Sequence, residues 1–274
     1  MLKSTLFFFF FSFLAFSQNT ERLRDSIVKY RNSNPNLALE YGIQYTNDDL
    51  AQISTVKTVG TTALIGEILL QTGLYALALN YFNRSLELFN SLPESEKKNP
   101  VDQPPWVILN IGNVYFKNGD YDKAKNKFNE AKILFQQLLN PEEKQHGLNT
   151  SDTNLALIQQ IEGDYESAER IHQGIYLRRY KTNKVEDILY SLSQIIAVKL
   201  LKKEFISANN KLQEVIELYE TQKIPESKTS ISTRNYGYSF LIFADNFSII
   251  TFSTRVIEVT RIAPIFISIV LFYN

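Results

Sequence analysis

Residues 119–128 read Gly-Asp-Tyr-Asp-Lys-Ala-Lys-Asn-Lys-Phe, and two other stretches of the chain follow the same pattern. They are residues 73–82, Gly-Leu-Tyr-Ala-Leu-Ala-Leu-Asn-Tyr-Phe, and residues 163–172, Gly-Asp-Tyr-Glu-Ser-Ala-Glu-Arg-Ile-His. Each stretch has a glycine, an aromatic residue two positions later and an alanine three positions after that. An internal repeat of this kind indicates stacked copies of one supersecondary unit rather than a single closed core.

Small residues also recur twelve positions before these alanines, as Gly112 does before Ala124. Helices that pack about 8 to 10 Å apart need Gly or Ala where they cross, because larger side chains would separate them. The sequence therefore predicts paired helices, with the following small residues at the crossings: Gly66, Ala78, Gly112, Ala124, Ala156, Ala168 and Ala208.

Glycines and prolines mark the ends of the predicted helices. Gly73, Gly119 and Gly163 are expected in the left-handed conformation that closes the first helix of each pair. Pro104 and Pro141 fall where the chain is expected to leave one repeat and enter the next.

The pattern resembles the tetratricopeptide repeat, a helix-turn-helix unit of about 34 residues. The copy around Ala124 carries it most completely, in the residues Ile111, Gly112, Tyr115, Gly119, Tyr121, Ala124, Phe128 and Ala131. The copies around Ala78 and Ala168 follow it, the copy around Ala208 is degenerate because it lacks both glycines, and only a second helix is recognisable around Ala38. These alanines lie 40 to 46 residues apart. Such long repeats are similar to the extracytoplasmic tetratricopeptide regions of bacterial signalling proteins.

The predicted fold is therefore all-α, a solenoid of helical hairpins that the resemblance implies to be a right-handed superhelix. We expect three segments: a signal peptide over residues 1–17, the helical repeat domain over residues 18–230, and an atypical hydrophobic tail over residues 231–274.

The N-terminus has the features of a secretory signal. Lys3 gives a short basic start, residues 6–16 are apolar apart from Ser12, and Ala15 and Ser17 place small residues at the usual cleavage spacing. The alternative is an uncleaved membrane anchor, although the run is shorter than the roughly 20 residues that span a bilayer. The pattern predicts an exported protein, either periplasmic or membrane-associated on the extracytoplasmic side.

The tail differs in composition from the repeats. After residue 236 the charged residues nearly disappear, and Phe, Ile, Ser and Thr dominate. Residues 262–273 resemble the start of a membrane segment, but they are too few to span a bilayer and include Pro264. Two interpretations stay open, a membrane-directed segment and a truncated or frame-disrupted end.

The composition argues against most chemistry. The 29 basic and 29 acidic residues balance, so no nucleic-acid partner is indicated. The absence of Cys excludes thiolate metal sites and cysteine nucleophiles. The two histidines, His146 and His172, have no metal-ligand spacing, and His172 occupies a position where the repeat has a packed aromatic residue. We therefore expect no enzyme, no catalytic residue, no metal and no cofactor.

The resemblance implies that the first helices line a concave groove that binds a protein or peptide. Carried onto this sequence, the groove residues are Glu67, Gln71, Asn110, Asn113, Phe116, Lys117, Thr153, Asn154, Gln160 and Gln194, with Leu157, Ala197 and Leu201 beside them. Amide side chains can satisfy both the N–H and the C=O groups of a peptide, and Phe116 offers an apolar anchor. The alternative is that these are ordinary solvated polar positions.

Two functions follow. One is an extracytoplasmic adaptor that holds another protein or peptide. The other is the sensor portion of a longer membrane-bound signalling protein, a histidine kinase or a transcription regulator, whose output domain lies outside this sequence. The membrane is a further possible partner, which the protein would contact through the tail or an uncleaved N-terminus.

Overall fold

The computed structural model describes residues 19–48, 52–97, 104–182 and 184–222. Within these ranges the chain consists of helices joined by turns, and no strand is present. The helices are α1 (19–30), α2 (Pro35–Thr46), α3 (Val56–Gln71), α4 (Tyr75–Asn90), α5 (Pro104–Lys117), α6 (Tyr121–Gln137), α7 (Pro141–Ile161), α8 (Tyr165–Tyr180), α9 (Val185–Leu201) and α10 (Phe205–Gln222). The predicted all-α class of helical hairpins is confirmed. Helix α1 supplies the first helix that the sequence around Ala38 does not reveal.

The chain forms two compact units, residues 1–151 and residues 152–274, which divide within α7. In the first unit, α3 packs on α4, α5 packs on α6, and α4 contacts α5. Leu23, Ile27, Tyr45, Ile65 and Phe82 are among the buried residues of its core. Burial of this apolar surface, rather than intrinsic helix propensity, supplies most of the stability of such helices.

The second unit packs α9 against both α8 and α10. Ala156, Ala168 and Val198 form one buried cluster, in which helices α7, α8 and α9 meet. Ile196, Ala208 and Leu212 form another, to which partly buried residues of α9 and α10 add. The degenerate fifth hairpin therefore has an apolar core of its own.

The small residues lie at the helix crossings, as the spacing predicts. A Cβ atom added to Gly112 would lie 2.6 Å from the Phe128 ring, and one added to Gly66 would lie 2.8 Å from the Phe82 ring. Ala124 is fully buried in the helix that carries Phe128. In the α3–α4 and α5–α6 hairpins the phenylalanine of the second helix thus lies against the glycine of the first helix, and that contact determines how closely the two helices approach.

The turns inside the hairpins share one geometry. Gly73, Gly119 and Gly163 have φ values of +80°, +79° and +84°, which confirms the predicted left-handed conformation. The N–H of the following residue bonds the carbonyl five positions back in each case, as Asp120 N does to Tyr115 O at 2.9 Å. This hydrogen bond defines a Schellman ending of the first helix.

The fifth hairpin makes the same turn without glycine. Lys203 occupies the left-handed position with φ of 60°, and Glu204 N bonds Lys199 O at 2.8 Å. The loss of glycine from the sequence pattern therefore did not remove the turn.

Side chains stabilise the starts of several helices. Asp120 and Asp164 accept hydrogen bonds from the backbone N–H groups of Lys123 and Ser167. Pro104 and Pro141 lie in the first turns of α5 and α7, just inside the helices rather than in the connections where the sequence placed them. A proline is tolerated there because the first N–H groups of a helix have no partner within it.

Two predicted segments, residues 1–17 and residues 231–274, lie outside the described residues. Among the residues that are described, no helix combines the length and apolar character required to cross a bilayer.

Candidate functional site

Three predicted groove residues of the first unit form a chain of hydrogen bonds. Asn113 Nδ2 donates to Asn110 Oδ1 at 3.1 Å, and Asn110 Nδ2 donates to Glu67 Oε1 at 3.1 Å. Asn110 and Asn113 lie one turn apart on α5, whereas Glu67 lies on α3. The chain therefore joins the first helices of two successive repeats.

The environment of Glu67 differs from that of a surface glutamate. Burial raises its pKa, and the field of Arg31 and the hydrogen bond from Asn110 offset this only in part. A half-buried carboxylate that accepts one amide hydrogen bond has further lone pairs. Glu67 is thus an acceptor for N–H donors and is more easily protonated than an exposed glutamate.

The remaining predicted groove residues of the first unit vary in exposure. Gln71 and Lys117 are exposed at the C-terminal ends of α3 and α5. Phe116 is half-buried, and its ring centroid lies 5.7 Å from that of Tyr121 in the same hairpin. The predicted apolar anchor therefore presents one side only, because its other side packs on α6.

In the second unit, Gln160 points toward α8. Its amide nitrogen lies 3.0 Å from Nε2 of His172, whose side chain is 1% exposed. The expectation that His172 replaces a packed aromatic residue is confirmed by this burial. Gln160 is consequently held by the neighbouring helix.

Other predicted groove residues of this unit are covered. Thr153 is 6% exposed and Gln194 is 5% exposed, while Asn154 is half-buried. Every residue of α9 from Ser191 to Lys199 is buried. Thr153 and Gln194 were expected to line an open groove. Their side chains are buried instead, so a ligand in a groove could not contact them. The structure brings Glu67, Asn110 and Asn113 of the first unit together.

A cluster of ion pairs in the second unit was not predicted. Glu169 of α8 pairs with Lys199 of α9 at 2.7 Å and with Lys202 at 2.7 Å, and both lysines also pair with Glu204. Burial raises the pKa of Glu169, but the hydrogen bonds from the two lysines outweigh it and hold that pKa below its ordinary value. These pairs surround the Lys203 turn. No local sequence signal could reveal the pairs of Glu169, because Lys202, for example, lies 33 residues from it.

A second missed cluster surrounds Trp106 in the first unit. Its indole nitrogen donates to Glu143 at 3.1 Å, and its ring meets Phe135 edge-on with centroids 4.6 Å apart. The ring of His146 lies 5.2 Å away. Gly147 allows this approach of α7 to α6, because a Cβ atom there would collide with the Phe135 ring. The added length of α7 creates this second crossing, which the repeat spacing does not include.

Sequence comparison identifies the repeat. The tetratricopeptide repeat family model matches residues 63–91 and 107–132, which cover the hairpins α3–α4 and α5–α6. The chain contains tetratricopeptide repeats. Among curated proteins, none matches this sequence.

Solved tetratricopeptide-like structures share the fold. Repeats of a putative kinesin light chain from Podosopora anserina align with a TM-score of 0.58 at 14% identity, over 74% of this chain and 96% of that one. BtubC (BKLC) from P. vanneervenii aligns with a TM-score of 0.56 at 13% identity, over 78% of this chain and 91% of that one. At such identities the likeness establishes the fold alone. Tetratricopeptide scaffolds of this kind mediate interactions between proteins.

Proposed function

We propose that this protein is a non-enzymatic scaffold that binds a protein or peptide segment along the first helices of its repeats. The observation that carries the proposal is the hydrogen-bonded chain from Asn113 through Asn110 to Glu67. It links two successive first helices with groups that can donate to or accept from a peptide backbone.

The chemistry of this face favours an extended or helical segment with exposed polar backbone or side-chain groups. Amides and one half-buried carboxylate line it, and Lys117 supplies a cation at its end. Phe116 adds one apolar side, so a partner with an apolar residue beside polar ones fits best.

A peptide selection tests the proposal. Peptides are selected from a random library on the full chain, and their dissociation constants are measured for the wild type and for Asn113→Ala. We expect Asn113→Ala to weaken the selected peptides about tenfold, equivalent to about 1.4 kcal/mol. The matched control is Asn83→Ala, which removes an exposed amide from the second helix α4.

The control should leave affinity unchanged. Peptides that bind equally well to the wild type and to both variants contact another surface, and this result would overturn the proposal. If circular dichroism shows that both variants fail to fold, the test is repeated with Gln71→Ala, which changes an exposed residue.

We further propose that the scaffold works outside the cytoplasm, in the periplasm or at the extracytoplasmic membrane surface. The basic start and apolar run of residues 1–17 support this. The intact mass of the protein recovered from an exporting host should correspond to a chain that begins at Gln18. Retention of residues 1–17 contradicts a cleaved signal. The narrower alternative, the sensor portion of a signalling protein, uses the same binding face and is decided by the nucleotide sequence around and beyond the codon for Ser230, read in all frames.

A further inference from the structure

The α7–α8 hairpin contains a buried imidazole where the α3–α4 and α5–α6 hairpins have phenylalanine. His172 follows Ala168 by four positions, as Phe82 follows Ala78 and Phe128 follows Ala124. All three side chains at this position are almost fully buried. The substitution keeps the volume of an aromatic ring but adds a group that can gain a proton.

The contact between Gln160 and His172 suits a neutral ring. An amide nitrogen donates, so with Gln160 in this orientation a neutral His172 accepts at Nε2 and carries its ring proton on Nδ1. A protonated ring would turn this contact into two opposed donors. Gln160 would then have to rotate its amide and give up the orientation that it has in the hairpin.

A buried cation lies close to this ring. Arg179, two turns further along α8, is 8% exposed and acts on His172 through its field. Its guanidinium donates to Ser191 Oγ at 3.1 Å and lies 5.0 Å from the centroid of the Tyr190 ring. Within the described residues, the side-chain partners of His172 and Arg179 are thus an amide, a hydroxyl and an aromatic ring.

Two carboxylates of the surrounding helices are engaged with other cations. On α8, Glu169 pairs with Lys199 and Lys202. On α7, Asp152 pairs with Arg178 at 2.8 Å. Their charge is compensated by these lysines and this arginine, so little of it is left to stabilise an imidazolium at His172.

We propose that His172 is an acid-sensitive latch, whose protonation opens the α7–α8 hairpin of the second unit. The neutral ring fills the crossing as phenylalanine does elsewhere. The charged ring would be a second buried cation beside Arg179, with no carboxylate to pair with it. Opening of the hairpin exposes the ring to water and removes the cost of burying its charge.

The direction of the pH dependence follows from linkage. Burial, and secondly the field of Arg179, lower the pKa of His172 from 6.5 to about 4. A histidine with a lowered pKa in the folded state binds its proton more readily when the hairpin is open. The folded hairpin therefore keeps its full stability above pH 6.5 and loses it progressively as the pH falls toward 4. The equilibrium constant for opening should rise about 30-fold between pH 7.5 and pH 5.

Hydrogen exchange of the full chain, followed by mass spectrometry at pH 7.5 and pH 5, tests this. Exchange rates are normalised to the intrinsic rate at each pH. Peptides from α7 and α8 should lose protection at pH 5, whereas peptides from α3 to α6 serve as the internal reference. In His172→Phe the loss should disappear, because the ring can no longer gain a proton.

Two further variants keep the test decisive. His172→Gln removes the titration with a smaller change of polarity, in case the phenylalanine variant repacks. His146→Gln removes the exposed histidine and should retain the wild-type response. An equal loss of protection in the wild type and both His172 variants would overturn the proposal. So would an NMR titration in which the His172 ring, assigned from its absence in His172→Phe, gains its proton between pH 6 and 7.

Discussion

Among the residues that the structure describes, four occupy the left-handed turn that ends a first helix, and three of them are glycine. The fourth, Lys203, carries a Cβ atom at φ of 60°. An L-residue pays roughly 1 to 2 kcal/mol for this conformation, because its Cβ approaches the following carbonyl oxygen. Glu204 and Lys202 on either side of it are bound in the ion cluster with Glu169. The surrounding contacts therefore hold a turn that its own residue disfavours.

Lys203→Gly should raise the free energy of unfolding by about 1 kcal/mol, since glycine adopts this conformation without strain. The matched control is Lys181→Gly, because Lys181 is also exposed at a helix end but has a right-handed φ of −66°. Glycine there should lower stability slightly through the added freedom of the unfolded chain. Urea unfolding followed by circular dichroism measures both, and equal effects would show that strain at Lys203 is negligible.

At the scale of the helix pair, a glycine is needed only where another helix lies against it. Gly112 and Gly174 are both inside helices, yet their surroundings differ. A Cβ atom on Gly112 would lie 2.6 Å from the Phe128 ring, whereas on Gly174 its nearest neighbour is Arg178 Nη1 at 3.7 Å. The two positions therefore separate packing from helix propensity.

Gly112→Ala should destabilise the chain by roughly 1 to 3 kcal/mol, because the buried Phe128 ring must shift to admit the methyl group. Gly174→Ala should stabilise it by about 0.5 to 1 kcal/mol, because alanine favours the helix and meets no obstacle. Urea melts of the two variants decide the matter. If both changes stabilised the chain, Gly112 would not lie at a tight crossing.

What the sequence could reveal at this scale follows from the physics of each residue. Gly112, Ala124 and Gly119 were predictable, since steric limits allow few other residue types at a close crossing or at positive φ. Lys203 was not, because lysine carries no signal for a left-handed turn. The binding face was predictable in part: Asn110 and Asn113 follow the spacing of the first helix.

Other features depend on contacts between distant parts of the chain. The burial of Gln194 and the ion pairs of Glu169 with Lys199 depend on which helices come together, and a repeat pattern does not encode that. The close contact at Gly147 was not predictable from the repeat pattern, because α7 extends beyond the length of the standard repeat.

At the scale of the whole molecule, the fifth hairpin, α9–α10, is the last described part of the helical array. Helix α10 packs on α9 through Ile196, Ala208 and Leu212. The tail over residues 231–274 breaks the repeat spacing and has few charged residues. We therefore predict that it is not needed for the hairpins to fold.

Deletion of residues 231–274 should raise the soluble yield, because a segment rich in Phe and Ile promotes association when it is exposed to solvent. The melting temperature of the shortened chain, read by circular dichroism, should match that of the full chain. A clear drop in that temperature would mean that the tail covers the last hairpin as a cap, which solenoid ends commonly require.

The surroundings of Trp106 have a consequence for spectroscopy. It is the only tryptophan of the chain, and it is held by Phe135, Glu143 and the His146 ring, all within residues 1–151. Its fluorescence emission therefore reports the melting of that half alone, whereas the ellipticity at 222 nm averages over every helix. If the two halves melt separately, the denaturation curve from fluorescence will differ from the curve from ellipticity. A fit to a single transition would then misstate the stability of both halves.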